Sequence, residues 1–269
     1  MKLRKLFPKL LLVLVAFCVL LFLLSPIIAV VGGSFNDGGY FAFPPKSVSL
    51  RQYRAALTNK EHLESLAASL KVATYSTVVA SLLCVPACVA LAKTSNPIVN
   101  KVKTLFMAPI FLPGIVWAVG LLQCMGFLRI QGSLAILICV HTVIVTPYMI
   151  RIVGASMDNF NYTLEDAAAS LGAPPLTTFF RITLPNIMSG IVVGMVFSFM
   201  ISFSDVVITL FVSSSSFTTF PVRVYAAMRT EGLDPMVLAY SAIIIVVVLS
   251  ISILGEKFAH WSKHFSTML

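Results

Sequence analysis

Long apolar runs alternate with short polar segments along most of this chain. The runs lie at about 10–33, 66–92, 104–123, 133–152, 186–212 and 236–254. Roughly 20 apolar residues suffice to cross a bilayer as a helix. The run at 186–212 would reach about 40 Å at 1.5 Å per residue, ample even with tilt. The pattern therefore predicts an all-α integral membrane protein, one domain over 1–269 with six transmembrane helices. Lys2, Arg4, Lys5 and Lys9 precede the first run. That run exceeds the 7–15 apolar residues of a signal peptide and lacks a clear cleavage site, so it reads as an uncleaved span.

The polar segments have their own grammar. Ser34 to Gly39 is turn material, and Pro44-Pro45 stiffens the approach to residue 50. Leu50, Tyr53 and Leu57 recur at helical spacing, which predicts a short surface helix. Turns are expected at 126–132 and 232–235, a polar loop at 213–220, and a short re-entrant or surface helix from Pro221 to Arg229. Inside the third run, Met107-Ala108-Pro109 and Leu112-Pro113-Gly114 should kink the axis. Freed carbonyls at membrane depth survive only against protein or water, so this run should line an interior, with Pro113 and Trp117 on the pathway.

The longest polar interruption of the second half is 163–185. Thr163 followed by Asp166 reads as a capped helix start, and Glu165 and Asp166 put negative charge where the helix dipole favours it. Ala167, Ala168 and Ala169 carry the helix, and Gly172 suits the left-handed residue that ends it. Pro174 and Pro175 fit the entry to a second short helix, which Leu184-Pro185 should break. The segment predicts a rigid elbow between two spans.

Asp166, Ala167, Ala168, Gly172, Ile182, Leu184 and Pro185 resemble the "EAA loop" of bacterial ABC importer permease subunits, with aspartate in the glutamate position. The resemblance implies the type I ABC importer permease fold with a cytoplasmic coupling helix. It also implies that Glu165 and Pro174 join those seven residues in docking a separate ATPase. Ser198 to Leu210 and Phe220 to Tyr225 resemble spermidine/putrescine permeases, specifically the second of their two permease subunits; Ser34-Phe35-Asn36 and the 43–53 segment fit more loosely. Those permeases often carry two adjacent acids where this chain has Ser204-Asp205. The implied partners are a second permease subunit, two ATP-binding subunits that hold ATP and Mg, and a periplasmic substrate-binding protein. The implied cargo is a polyamine, or another small organic solute such as an aminophosphonate or an opine-like compound. The implied location is the bacterial inner membrane with both termini cytoplasmic.

Composition supports the membrane reading. Hydrophobic residues make up 58%, charged residues 11%, and mean hydropathy is +0.97; soluble domains carry about a quarter charged residues. A net charge of +9 would suggest nucleic acid in a soluble protein. Here basic loops facing anionic lipid account for it. Lys93, Lys101, Lys103, Arg151, Arg181, Lys257 and Lys263 fall on the expected inner side with the basic N-terminus. Lys46, Arg51, Arg54, Lys60, Lys71, Arg129, Arg223 and Arg229 fall outside, a weak bias that is clearest at the first span.

The sequence holds no phosphate-binding glycine loop, no His-Glu-x-x-His and no nucleophile with its base, so no enzyme activity, cofactor or metal is expected. Cys18, Cys84, Cys88, Cys124 and Cys139 read as small buried hydrophobes. His141 lies inside a span, facing a pore or satisfied by a neighbouring helix. Asp205 is the one acid deep within an apolar run, flanked by Ser202 and Ser204. A mid-bilayer carboxylate costs roughly 2.5–3.5 kcal/mol and needs a cavity or a partner. It either passes a cation or gates the outer mouth, or it pairs with Arg223, Arg229 or the partner subunit.

Overall fold

The computed structural model describes residues 2–94, 96, 101, 104–130, 132–214, 217–230, 232 and 234–266. Lys103 and much of the 93–103 connection lie outside these, as do parts of the expected turns at 126–132, 213–220 and 232–235. Among the described residues the only extended pairings are two isolated bridges, Asn36 with Val48 and Ser214 with Phe217. Everything else that is regular is helical.

The helices are α1 (Lys2–Gly33), α2 (Arg51–Thr58), α3 (Lys60–Ala92), α4 (Gly114–Leu128), α5 (Leu134–Asp158), α6 (Thr163–Ser170), α7 (Pro175–Thr178), α8 (Leu184–Ser204), α9 (Val207–Val212), α10 (Phe220–Thr230) and α11 (Pro235–Ser266). A 3₁₀ turn (Ala108–Phe111) precedes α4, and a π turn (Phe179–Thr183) links α7 to α8. Among the described residues, five helical stretches are long and apolar enough to cross a membrane: Leu11–Gly33, Lys60–Ala92, Leu134–Asp158, Pro175–Ser204 and Pro235–Gly255.

Two of the expected spans are interrupted. The third, at 104–123, is a helical stretch at 104–106, a 3₁₀ turn, a break at Leu112–Pro113 and then the 15-residue α4. At 1.5 Å per residue α4 reaches only about 22 Å. The two prolines are the cause: each removes an amide donor, and Pro113 takes an extended conformation just before the helix. The fifth, at 186–212, is not one helix but α8 and α9, parted at Asp205 and Val206. Ser204 and Asp205 compete for backbone groups there: Ser204 Oγ donates to the Met200 carbonyl at 2.8 Å.

The chain divides into two compact units. One holds the residues up to Leu63 with Ala226–Val247. In it the polar stretch after α1 folds back on the helix end. Ser34 Oγ donates to the Val31 carbonyl at 2.6 Å and meets Tyr53 OH at 2.7 Å. His62 stacks on Tyr240, whose hydroxyl donates to the Ala56 carbonyl. Residues 11–24 of α1 are exposed all round, as suits a helix against lipid.

The other unit, Glu64–Tyr225 with the chain from Val248, is built on α3, α5 and α8. Cys84, Cys88, Met149, Val153, Ile187 and Ile191 form its first core. α5 and α8 approach closely because Gly190 lies against Ser156 and Gly194 against Met149, where a larger residue would collide. Val72, Ala118, Leu137, Ile208 and Val212 form a second core, in which α4 leans on α9. Only Cys84 and Cys88 are buried; Cys18, Cys124 and Cys139 are exposed, against the expectation for all five. Burial within one chain is not needed to keep a thiol from water in a span, since lipid does the same.

Candidate functional site

The elbow is tighter than its sequence suggests. Thr163 does not cap α6. Asn161 does: its Oδ1 accepts from the Thr163 amide at 3.1 Å and from the Thr163 hydroxyl at 2.6 Å. At the other end Gly172 has φ +78°, as expected. Its amide donates to the Ala169 carbonyl at 2.9 Å, and the Ala173 amide donates to Ala168 at 3.0 Å. That pair of bonds is the Schellman closure, and a side chain at Gly172 would be strained by its φ alone. Pro174 is extended and Pro175 opens α7, as read from the sequence.

Leu184-Pro185 does not break the helix. Helical structure runs unbroken from Pro175 to Ser204. The Leu184 amide donates five residues back, to Phe179. This wider turn accommodates the proline, which would otherwise clash with the preceding turn.

The acids of the elbow part company. Asp166 is exposed on α6, beside exposed Ala167. Glu165 is turned inward: Lys93 Nζ lies 2.6 Å from its Oε2, and Thr183 Oγ1 donates to its Oε1 at 2.5 Å. Thr183 is fully buried. Burial pushes the Glu165 carboxyl up, but the hydrogen bonds from Lys93 and Thr183 and the lysine charge outweigh it and hold the carboxyl low. Glu165 thus ties α6 to the end of α3 and to the π turn. Ala168 is buried, Ile182 and Leu184 are half-buried, and Pro174 and Pro185 are exposed. Leu171, Leu176 and Phe180 are 88%, 73% and 60% exposed, an apolar rim that sequence reading left out.

The second site is the break in the fifth span. Asp205 Oδ2 accepts from the Thr209 amide and from Thr209 Oγ1, both at 2.8 Å, which caps the start of α9. His141 Nε2 lies 3.0 Å from Thr209 Oγ1 and 4.0 Å from Asp205 Oδ2. His141 Nδ1 lies 2.8 Å from Ser202 Oγ, which in turn lies 3.1 Å from Ser76 Oγ on α3. Ser76 Oγ donates to the Val72 carbonyl at 2.6 Å. Four helices are joined by one polar chain. Thr209, not an arginine, holds the Asp205 carboxylate oxygen that faces His141.

Ser202 belongs to this chain; Ser204 does not, being exposed and bonded within α8. Pro113 lies just before α4 and Trp117 on it. Trp117 Nε1 donates to the freed Pro109 carbonyl at 3.3 Å, which repairs part of the proline break. Trp117 also lines an open apolar groove of about 350 Å³ with Leu112, Val116, Gly120, Leu121 and Cys124. The sequence pointed to Asp205 through its charge. Ser76 and Thr209 gave no signal, because hydroxyls inside spans are common. Lys93 gave none either, since its partner lies 72 residues away.

Residues 85–263 match the family described as binding-protein-dependent transport system inner membrane components. The spermidine/putrescine transport system permease protein PotC of Haemophilus influenzae is 28% identical over 248 residues, covering 92% of this chain and 96% of that one. The putrescine transport system permease protein PotI of Escherichia coli K12 is 29% identical over 232 residues, covering 83% of this chain and 82% of that one. Among solved structures, a bacterial ABC transporter for the acidic polysaccharide alginate matches with TM-score 0.73 at 15% identity, covering 96% of this chain and 98% of that one.

Proposed function

This chain belongs to the family of binding-protein-dependent transport system inner membrane components, and from that premise we propose that it lines half of the pathway of an ATP-driven polyamine importer. It is a permease subunit in a bacterial inner membrane, and its relatives in sequence include polyamine permeases beside a molybdenum transport permease. A second permease completes the pathway, two ATP-binding subunits drive it, and a periplasmic binding protein delivers the cargo. The N- and C-termini lie on the cytoplasmic side with the elbow.

The observation that carries the ATP-driven reading is the elbow. Its apolar rim of Leu171, Leu176 and Phe180 stands out from a segment closed by the Asn161 cap, the Gly172 turn and the Lys93–Glu165–Thr183 tie. An apolar rim suits the groove of a partner subunit. A soft elbow would absorb the partner's motion; a tied one passes it to α3 and α8. Asp166 is left free on the surface for a polar contact with the ATPase.

Asp205 supplies the cation preference. It sits where the backbone of the fifth span opens, 16% exposed, with α4 against the following helix α9. Ser204 replaces the second acid of the polyamine permeases and points back into its own helix. A single carboxylate favours the alternative of a solute with one cationic group, such as an aminophosphonate. The test is uptake of labelled putrescine and spermidine in a host without its own polyamine importers. The host carries the genes neighbouring this one, with and without this chain. Uptake that needs both the chain and ATP is expected. A complex that assembles and hydrolyses ATP but takes up neither compound sinks the polyamine and leaves the importer.

A further inference from the structure

The polar chain at the break has more contacts than a neutral imidazole can supply with protons. Five contacts need a proton each: Asp205–Thr209 Oγ1, Thr209–His141 Nε2, His141 Nδ1–Ser202, Ser202–Ser76 and Ser76–Val72 carbonyl. The three hydroxyls of Thr209, Ser202 and Ser76 bring one each, and a neutral His141 brings a fourth. With Asp205 ionised, the fifth contact is left without a donor. One more proton completes the chain in either of two arrangements. In the first, His141 is an imidazolium that donates to Thr209 and to Ser202. In the second, Asp205 is protonated and donates to Thr209, which donates to Nε2, while Nδ1 keeps its hydrogen and donates to Ser202. In both, Ser202 donates to Ser76 and Ser76 to Val72.

We propose that the pair His141–Asp205 is a one-proton site inside the membrane, holding one titratable proton beyond the hydrogen of a neutral imidazole and no net charge when the pathway is empty. Charge supports the same count. An ionised Asp205 beside a neutral imidazole leaves a net negative charge at membrane depth, whereas the doubly occupied pair leaves none. The groups around His141 are accounted for: α3 contributes Ser76, α8 Ser202 and α9 Thr209, all neutral, and Asp205 is the charged group placed against it among the described residues.

On the proposed reading that the cargo is cationic, the site then exchanges. An ammonium group arriving at Asp205 takes over as the counter-charge. The pair gives its second proton to water in the pathway and goes from net zero to net minus one, which the bound cation balances. Proton and cation therefore compete, and each weakens the other by the same factor. His141 is a positioning residue here; only Asp205 touches cargo.

The test uses the whole importer in lipid discs, labelled with ¹⁵N-histidine. Nitrogen spectra of wild type against His141→Gln identify the His141 signal, and infrared spectra of wild type against Asp205→Asn identify the Asp205 carboxyl. A doubly protonated imidazole or a protonated carboxyl near neutral pH is expected. A neutral imidazole with an ionised carboxylate overturns the proposal. Putrescine is then added. Its affinity should fall about tenfold per pH unit on the acid side of the pair's titration, since one proton is displaced. Gln, which offers one donor and one acceptor, should shift or flatten that slope. A bound proton that putrescine fails to displace overturns the exchange and the cationic cargo together, while the spectra alone decide the proton site.

Discussion

Two interruptions organise the second half of this chain, and each is built round a carboxylate taken by a threonine. At the elbow, Glu165 accepts from Thr183 and faces Lys93. At the break in the fifth span, Asp205 accepts from Thr209 and faces His141. The difference is the cation. A lysine stays charged across the physiological range, so the elbow pair is a fixed joint. An imidazole can release a proton where an ammonium keeps it, so on the proposal above the pair at the break can be emptied and refilled. On the function proposed above, transmission wants the first property and passage of cargo wants the second.

The largest effect should come from placing a charge on the elbow's apolar rim. Leu176→Asp buries an unpaired carboxylate in the docked state, at a cost of about 3 kcal/mol, or about a hundredfold in ATPase affinity. Co-purification of the ATPase with the permease measures it. Retained ATPase with normal uptake would mean that this rim is not the docking face.

The joint itself should matter less. Lys93→Ala removes a half-exposed partner, worth about 1 kcal/mol or less, and should lower uptake by no more than about fivefold. Combining Lys93→Glu with Glu165→Lys should recover part of the loss. If the double swap is no better than either single change, the pair is not the tie described here.

The smallest effect sharpens the contrast. The Glu165 carboxyl is held low in the fold, so its contribution to stability is complete above the ordinary carboxylate value and fades as pH falls through the lowered one. Protection of α6 amides, taken relative to their intrinsic exchange rates, should therefore change little between about pH 8 and pH 5, with loss only below about pH 4. Cation affinity at the break should already be falling in that upper range. Parallel pH dependence in the two regions would remove the distinction between a fixed and a switchable pair.

Much of the elbow was legible in sequence because its signals are local. Gly172 ends a helix through its own φ, and Pro175 opens one through its missing amide. Where the reading went astray, a neighbour had taken over the role. Asn161 caps in place of Thr163, and the π turn absorbs Pro185 without a break. Nothing near Glu165 in sequence announced its partners Lys93 and Thr183.

Apolar run length and the spacing of glycines, prolines and small residues determined that this chain is a helical membrane protein with one rigid elbow. Those properties act within a few residues, and the bilayer enforces helix on any run that crosses it. Tertiary structure alone decided that Asp205 meets Thr209 and His141, that Ser76 joins them, and that the fifth span parts where they meet. A carboxylate in a span must find donors, and which donors lie within 3 Å depends on how four helices pack. No spacing along the chain records that distance.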